Sequence, residues 1–344
     1  MFLMLSCNKD KLKLDVEMYQ TQGIPDINQA FACMYFKNEK EGYLFGTYTR
    51  YEQTDNEKLD DPNFNLSLNL DITDEANIYK TADGGYSWTK IDSILNYNYG
   101  DMVTQDSNSI FIVRDNSLVN FSAKIIKFDL LSNKITGISK DTKTISCLWH
   151  DSNVLNYTSN RGDIKLFSLN NNLRYVDSVK ITNYMIKGVF SGSNSYVILA
   201  DEGGYYFALV NKKEIKEIPL IIKPDELIKL NEKELIIGGK MKNDSMSTGL
   251  VIYDVGTGRA NLLKEFKGYS IIEGLKLNKK VIAGFIGNIE LLFTKYDLVY
   301  SVDKGESWHI QKLKEPNYIR PSCLVDNIMY IYSGGARMQK IVFK

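Results

Sequence analysis

The chain has 344 residues, 44% hydrophobic and 24% charged, with 42 basic and 42 acidic side chains and a formal net charge of zero. That composition suits a globular protein with a large core, and the charge balance removes any general electrostatic case for nucleic acid as a partner. No apolar run reaches the roughly 18 residues of a membrane-spanning helix, and 22 Tyr with 15 Phe favour strands over helices.

In chain order, Met1-Phe2-Leu3-Met4-Leu5-Ser6-Cys7-Asn8-Lys9-Asp10 comes first. A short apolar run ends in a small residue and a Cys, then turns polar. This resembles the end of a bacterial lipoprotein signal, although Met4 stands where Leu is usual and no basic region precedes it. The resemblance implies that Cys7 is lipidated, with residues 1–10 a signal remnant and tether and residues 11–344 one domain. It places the protein in the cell envelope, held at the membrane by its lipid.

Short strand-like runs then follow one another, separated by turn residues. The nearest approach to a helical period, Asp225 to Leu230, is short and follows a Pro. Grouping the runs in fours gives repeats of about 40 to 50 residues, the period of propeller blades. The first group is 30–36, 42–51, 76–80 and 86–91. The second is 101–105, 109–114, 123–130 and 134–138, and the third 144–149, 153–158, 163–169 and 173–179. The fourth is 185–190, 195–201, 205–210 and 214–218, and the fifth 226–230, 234–239, 249–255 and 260–266. The sixth is 270–277, 280–285, 297–302 and 307–311. The seventh has only 322–325, 329–333 and 338–343 before the chain stops. A spare strand at the other end, Lys13 to Tyr19, can supply its missing fourth and leave no exposed edge at the join. The expected fold is therefore an all-β, seven-bladed β-propeller whose ring is closed by an N-terminal strand joining the C-terminal blade. Six or eight blades remain compatible with the strand boundaries.

Two stretches match each other. Thr81-Ala82-Asp83-Gly84-Gly85-Tyr86-Ser87-Trp88 and Ser301-Val302-Asp303-Lys304-Gly305-Glu306-Ser307-Trp308 both read Ser/Thr-x-Asp-x-Gly-x-Ser-Trp, each between two apolar runs. Strand, polar turn and strand make a hairpin. Gly supplies a backbone conformation costly for other residues, Asp accepts hydrogen bonds from its own turn, and Trp covers the hairpin. The pattern resembles the Asp-box, or BNR, repeat of sialidases, sortilin-type receptors and photosystem-assembly propellers. In those families the box joins the third and fourth strands of a blade. The resemblance implies that Asp83, Gly85, Trp88, Asp303, Gly305 and Trp308 are structural, with both Asp acting as turn staples. Trp88 and Trp308 lie 220 residues apart, which over five blade steps gives about 44 residues per blade.

The propeller reading also divides the faces. Turns from second to third strands, and from each blade to the next, line one mouth, with the boxes on the opposite side. The longest departure from minimal loops, Glu52 through Glu75, overhangs that mouth and carries Asp55, Glu57, Asp60, Asp61, Asp71 and Asp74. Loops this long are functional or disordered. Candidate binding residues there are Asp60 and Asp61, with Tyr97 and Tyr99 in the first interblade link. Arg161, Asp201 and Arg337 lie in other turns of that face, as does the turn Asn243-Asp244-Ser245. Aromatic and Arg side chains are favoured anchors.

Metal and nucleophile chemistry are poorly supplied. Cys7, Cys33, Cys147 and Cys323 fit neither a zinc spacing nor a Cys-x-x-Cys redox motif. The last three lie in apolar runs and are expected as buried thiols. With only His150 and His309, a His-rich metal site is excluded. No cofactor and no catalytic residue is expected.

A sialidase would need three Arg gripping a carboxylate, a Tyr nucleophile paired with a Glu, and an Asp acid/base. Its first Arg sits in an early Arg-Ile-Pro. Here that place reads Gly23-Ile24-Pro25, and Tyr318-Ile319-Arg320-Pro321 has the wrong order. The chain has seven Arg, at 50, 114, 161, 174, 259, 320 and 337, with Arg114 and Arg174 read as strand residues. The expected function is a monomeric, non-catalytic, envelope-anchored binding module for a protein or glycan. A sialidase-like glycoside hydrolase and an immunity protein against a secreted toxin are the alternatives, the acidic lip suiting a basic target.

Overall fold

The structure is a computed structural model. It describes residues 14–24, 29–53, 70–104, 108–115, 122–139, 142–143, 145–151, 154–159, 165–170, 172–180, 184–191, 194–201, 204–210, 215–290, 293–313, 322–334 and 336–344. All regular elements among them are strands. They are β1 (Leu14–Gln20), β2 (Gln29–Phe36), β3 (Gly42–Gln53), β4 (Leu70–Thr81), β5 (Thr89–Leu95), β6 (Asn98–Thr104), β7 (Ser109–Asp115), β8 (Ser122–Asp129), β9 (Lys134–Ile138) and β10 (Thr142–Lys143). Next come β11 (Ile145–Asp151), β12 (Val154–Ser159), β13 (Lys165–Asn170), β14 (Tyr175–Lys180), β15 (Tyr184–Ser191), β16 (Asn194–Asp201), β17 (Gly204–Val210) and β18 (Ile215–Ile218). The rest are β19 (Ile222–Lys229), β20 (Glu234–Met241), β21 (Ser247–Asp254), β22 (Arg259–Lys267), β23 (Ile271–Asn278), β24 (Val281–Glu290), β25 (Phe293–Ser301), β26 (His309–Lys312), β27 (Ser322–Val325), β28 (Ile328–Gly334) and β29 (Arg337–Phe343).

Among the described residues these strands form seven antiparallel sheets. In chain order they are β2–β5, β6–β10, β11–β14, β15–β18, β19–β22, β23–β26 and β27–β29 with β1, here called sheets one to seven. The first strands of successive sheets lie against one another: β2 with β6, β6 with β11, β11 with β15, β15 with β19, β19 with β23, β23 with β27, and β27 with β2. Second strands are buried on both faces, as in β7, where Ile110, Phe111, Ile112 and Val113 are all enclosed. Last strands alternate, as in β22, where exposed and half-buried residues exchange along the strand. A continuous apolar run therefore marks a strand sandwiched between neighbouring sheets, and an alternating run marks an outer edge.

The first strands of sheets one to six each contain a register shift, at Phe31/Cys33, Tyr99/Met102, Ile145/Cys147, Met185/Lys187, Pro224/Glu226 and Glu273/Lys276. Bulges re-aim the side chains around them, here at the strands nearest the sheet-to-sheet contacts. In sheet seven, β1 pairs antiparallel with β29, from Leu14 opposite Phe343 to Gln20 opposite Arg337. Aromatic residues pack the seam between sheets one and seven, where Phe36 stacks on Tyr330 at 3.9 Å and meets Trp88 edge-on at 6.0 Å.

Several expectations change. The Glu52–Glu75 loop is in part a hairpin: β3 and β4 pair out to Gln53 opposite Leu70, so Glu52, Asp71 and Asp74 are strand residues. Asp74 is buried and accepts hydrogen bonds from the Thr49 hydroxyl at 2.8 Å and the Asn98 amide at 3.3 Å. A strand rich in Asp and Thr looks like a loop when its partner is not known. The β24–β25 hairpin likewise extends well past Phe285. Arg174 lies in an exposed turn before β14, next to Leu173 with φ of 58°. The stretch from Asp225 is strand β19, and the short β10 on β8 was not expected.

Candidate functional site

Each box sits between the third and fourth strands of its sheet, Thr81–Trp88 between β4 and β5 and Ser301–Trp308 between β25 and β26. The two hydrogen-bond networks are the same. In the first, the Thr81 hydroxyl donates to Asp83 Oδ1 at 2.8 Å and accepts from Gly85 N at 3.0 Å. Ser87 donates its N–H to Asp83 Oδ1 at 3.0 Å and its hydroxyl to Oδ2 at 2.5 Å, and Trp88 Nε1 donates to Gly85 O at 3.0 Å. In the second, Ser301, Asp303, Gly305, Ser307 and Trp308 repeat these bonds at 2.7, 2.7, 2.9, 2.5 and 3.0 Å. Gly85 and Gly305 have φ of 94° and 95°, which other residues adopt only under strain. Desolvation pushes both Asp carboxyls up, but the bonds from Ser and Thr outweigh it, leaving Asp83 below its ordinary value and Asp303 at about 2. Both oxygens of each carboxylate accept hydrogen bonds from their own turn, which is what a turn staple does.

The first box has a second task. Residues 19–24 run across it: Tyr19 donates its hydroxyl to Gly84 O at 2.7 Å, and Tyr86 donates to Glu17 Oε1 at 2.6 Å. The Tyr19 and Tyr86 rings stack at 4.2 Å. Gln22 and the box exchange backbone bonds, Gln22 N to Tyr86 O and Trp88 N to Gln22 O, both 2.9 Å. A Cβ on Gly23 would fall 1.9 Å from the Trp88 carbonyl oxygen, so only Gly allows this approach.

At the other end of the sheets lie the turns from second to third strands and the starts of the first strands. Here three successive sheets bring charged side chains together. Glu226 of β19 is buried; its carboxylate pairs with Lys187 of β15 and accepts from Gly274 N of β23 at 2.9 Å. Asp225, half-buried at the β19 bulge, is raised to about 6, first by desolvation and then by the charges of Glu226 and Glu273, against Lys187 and Lys240. Glu273 accepts a hydrogen bond from Tyr296 of β25. Tyr296 reaches it across β24 at Gly287, where a Cβ would fall 2.9 Å from the Tyr296 ring. The carboxylates do not converge as a metal-ligand set; among the described residues no group of three or more His, Cys, Asp and Glu does so.

The residues singled out in the sequence are not gathered in this cluster. Asp60, Asp61, Arg161 and Cys7 lie outside the described residues. Asp201 ends β16 opposite Gly204, and Arg337 opens β29 as an exposed residue opposite Gln20. Tyr99 is not in an exposed link: it belongs to strand β6, is 6% exposed and packs edge-on to Phe45 at 5.7 Å. Tyr97 is half-buried under Arg114. Asp244 accepts from Met246 N and the Ser247 hydroxyl within its own turn. Cys33 is buried and Cys323 partly so, both free thiols; the Cys147 side chain lies outside the description. A shallow depression of about 450 Å³, lined by Leu14, Asp15, Val16, Glu17, Lys340 and Val342, lies on the outer β1–β29 pair, away from the cluster.

Lys187, Glu226 and Glu273 were missed, although each had a signal. Lys187 is the one charge of β15 (Tyr184-Met185-Ile186-Lys187-Gly188-Val189-Phe190-Ser191), whereas β19 also carries Lys223, Asp225 and Lys229 beside Glu226, and β23 carries Lys276 beside Glu273. Charges on inner first strands, where apolar residues are the rule, are the signal.

No protein-family model matches the sequence, and no curated protein does. Solved structures share the fold. The β-propeller domain of the trilobed protease from Pyrococcus furiosus, described as having an open velcro topology, superposes with a TM-score of 0.60 at 11% identity, over 92% of this chain and 93% of that one. The acylaminoacyl peptidase of Pyrococcus horikoshii gives 0.59 at 10% identity, over 91% of this chain and 50% of that one. A chain of the mitotic checkpoint complex gives 0.57 at 11% identity, over 95% and 90%. This chain is thus an all-β protein of repeated antiparallel sheets with the β-propeller fold.

Proposed function

We propose that the chain is a seven-bladed Asp-box propeller, closed by β1, that works as a non-catalytic binding module on the end opposite the boxes. Seven sheets among the described residues, the cyclic contacts of their first strands and the β1–β29 pairing support the blade count and the closure. The matching box networks support the family. Tethering to the bacterial envelope through an acylated Cys7 rests on the sequence pattern alone. The ligand is a protein or glycan that presents an ammonium or guanidinium group.

The observation that carries the binding reading is the cluster of Asp225, Glu226 and Glu273 on adjoining first strands, three carboxylates with Lys187 and Lys240 as the cations acting on Asp225. A cationic group gains most where its carboxylate partners are already partly desolvated. The test is binding of a chitosan oligosaccharide and of a lysine-rich peptide to the wild type and to an Asp225→Asn/Glu273→Gln variant. One of the two should bind and weaken at least tenfold in the variant. Equal binding to both proteins, or none to either, would overturn the reading.

One observation favours a glycoside hydrolase as a second reading: Tyr296 hydrogen-bonds Glu273 while Asp225 sits at about 6, a Tyr–Glu pair beside a candidate acid. The cations acting on Asp225 are Lys187 and Lys240, without the Arg fork that grips a sugar carboxylate. Hydrolysis of a fluorogenic sialoside that disappears in Tyr296→Phe would establish this reading over the first.

A further inference from the structure

Arg114, near the end of β7, is 5% exposed. Its cross-strand partner on β6 is Tyr99, 6% exposed. Opposed residues of an antiparallel pair share a face, with Cβ atoms about 5 Å apart. The guanidinium lies over the Tyr97 ring, 4.7 Å from its centroid. Among the described residues no carboxylate forms an ion pair with Arg114. The charge of Asp92 is felt at the Tyr99 hydroxyl, yet it makes no pair with the guanidinium. Both Arg114 Nε and the Tyr99 hydroxyl oxygen are buried without a hydrogen-bond partner.

Each buried donor left without an acceptor is costly. The Tyr97 face favours the cation but offers Nε no acceptor. Two unpaired donors on facing residues, held by a stacked aromatic, have the form of a site awaiting an oxyanion. We propose that Arg114 and Tyr99 form a subsite for a ligand carboxylate. Nε and one terminal nitrogen of the guanidinium take the two oxygens side by side, and the Tyr99 hydroxyl donates to one of them. The pair lies at the β7 end leading to the second-to-third turn, the end opposite the boxes. Neighbouring Asn98 bonds Asp74 at the base of the β3–β4 hairpin. It lies on sheet two, whereas the carboxylate cluster spans sheets four to six, so each can fail without the other.

Calorimetry on the full chain tests this with two acids and their uncharged counterparts: glucuronate against glucose for a sugar carboxylate, and N-acetylglycine against N-acetylglycinamide for a peptide carboxylate. At least one acid should bind while its counterpart does not. Arg114→Lys, which keeps the charge but loses the fork, and Tyr99→Phe, which keeps the ring on Phe45, should each weaken that binding about tenfold. Failure of both acids to bind the wild type, or unchanged affinity in either variant, would overturn the assignment.

Discussion

The carboxylate of Glu226 is bonded to Gly274 N at 2.9 Å, across a gap of 48 residues, while its other oxygen pairs with Lys187, 39 residues before it. One buried side chain thus joins three successive sheets. Removing it strands Lys187 and leaves Gly274 N without its acceptor. Breaking a buried pair costs about 3–5 kcal/mol, and the low end applies because the Lys187 side chain is 34% exposed. Glu226→Ala should lose about 3 kcal/mol in chemical denaturation. Glu226→Gln, which keeps an oxygen for Gly274, should lose clearly less. Equal losses would mean that the Gly274 bond contributes nothing.

Asp303 accepts from the hydroxyls of Ser301 and Ser307 and from Ser307 N. Asp303→Ala unpairs several donors at once, and each such loss costs on the order of 1 kcal/mol at a partly exposed site. The variant should lose about 2 kcal/mol, seen as a lower Tm, and the near-ultraviolet circular dichroism of Trp308 should change because its indole is fixed on Gly305. Binding at the opposite end should be unaltered. A ligand affinity that falls with the box would contradict the division of faces.

The strands and boxes were legible because their signals are local. Alternation, turn residues and the Ser/Thr-x-Asp-x-Gly-x-Ser-Trp spacing all fall within a dozen residues of one another. The carboxylate cluster was illegible because it exists only in the register between sheets. Nothing in Met185-Ile186-Lys187 or Ile272-Glu273-Gly274 says that both reach Glu226 or its neighbour Asp225. Asp71 and Asp74 were misplaced for a related reason. Their strand is stabilised by a partner, Arg50 to Gln53 and Thr49, lying across some 20 residues, and intrinsic strand preference is weak against such pairing.

Tyr19 ties the N-terminal strand to the first box through Gly84 O and through its stack on Tyr86. Tyr19→Phe removes the hydroxyl bond alone, worth about 1 kcal/mol. Hydrogen exchange should quicken in β1 and β29 while β20, buried on both faces, stays protected. Uniform quickening across all sheets would show that β1 does not open as a separate unit.

Asp225 and Asp303 should pull the stability in opposite directions as pH changes. Asp225 is raised to about 6 from an ordinary 3.8, so between those values the folded protein holds the extra proton. Its favourable contribution is full below about pH 4 and is lost as pH rises through 6. Asp303 is lowered to about 2 from the same value, so its contribution is present above pH 4 and is lost as pH falls towards 2. Asp225→Asn should therefore raise stability at pH 7.5 by about 1–2 kcal/mol, a figure reduced for the solvent that reaches this half-buried group. It should leave stability near pH 4 nearly unchanged. Urea melts of wild type and variant from pH 3.5 to 8 give the comparison; a constant difference across that range would mean that Asp225 does not titrate near 6.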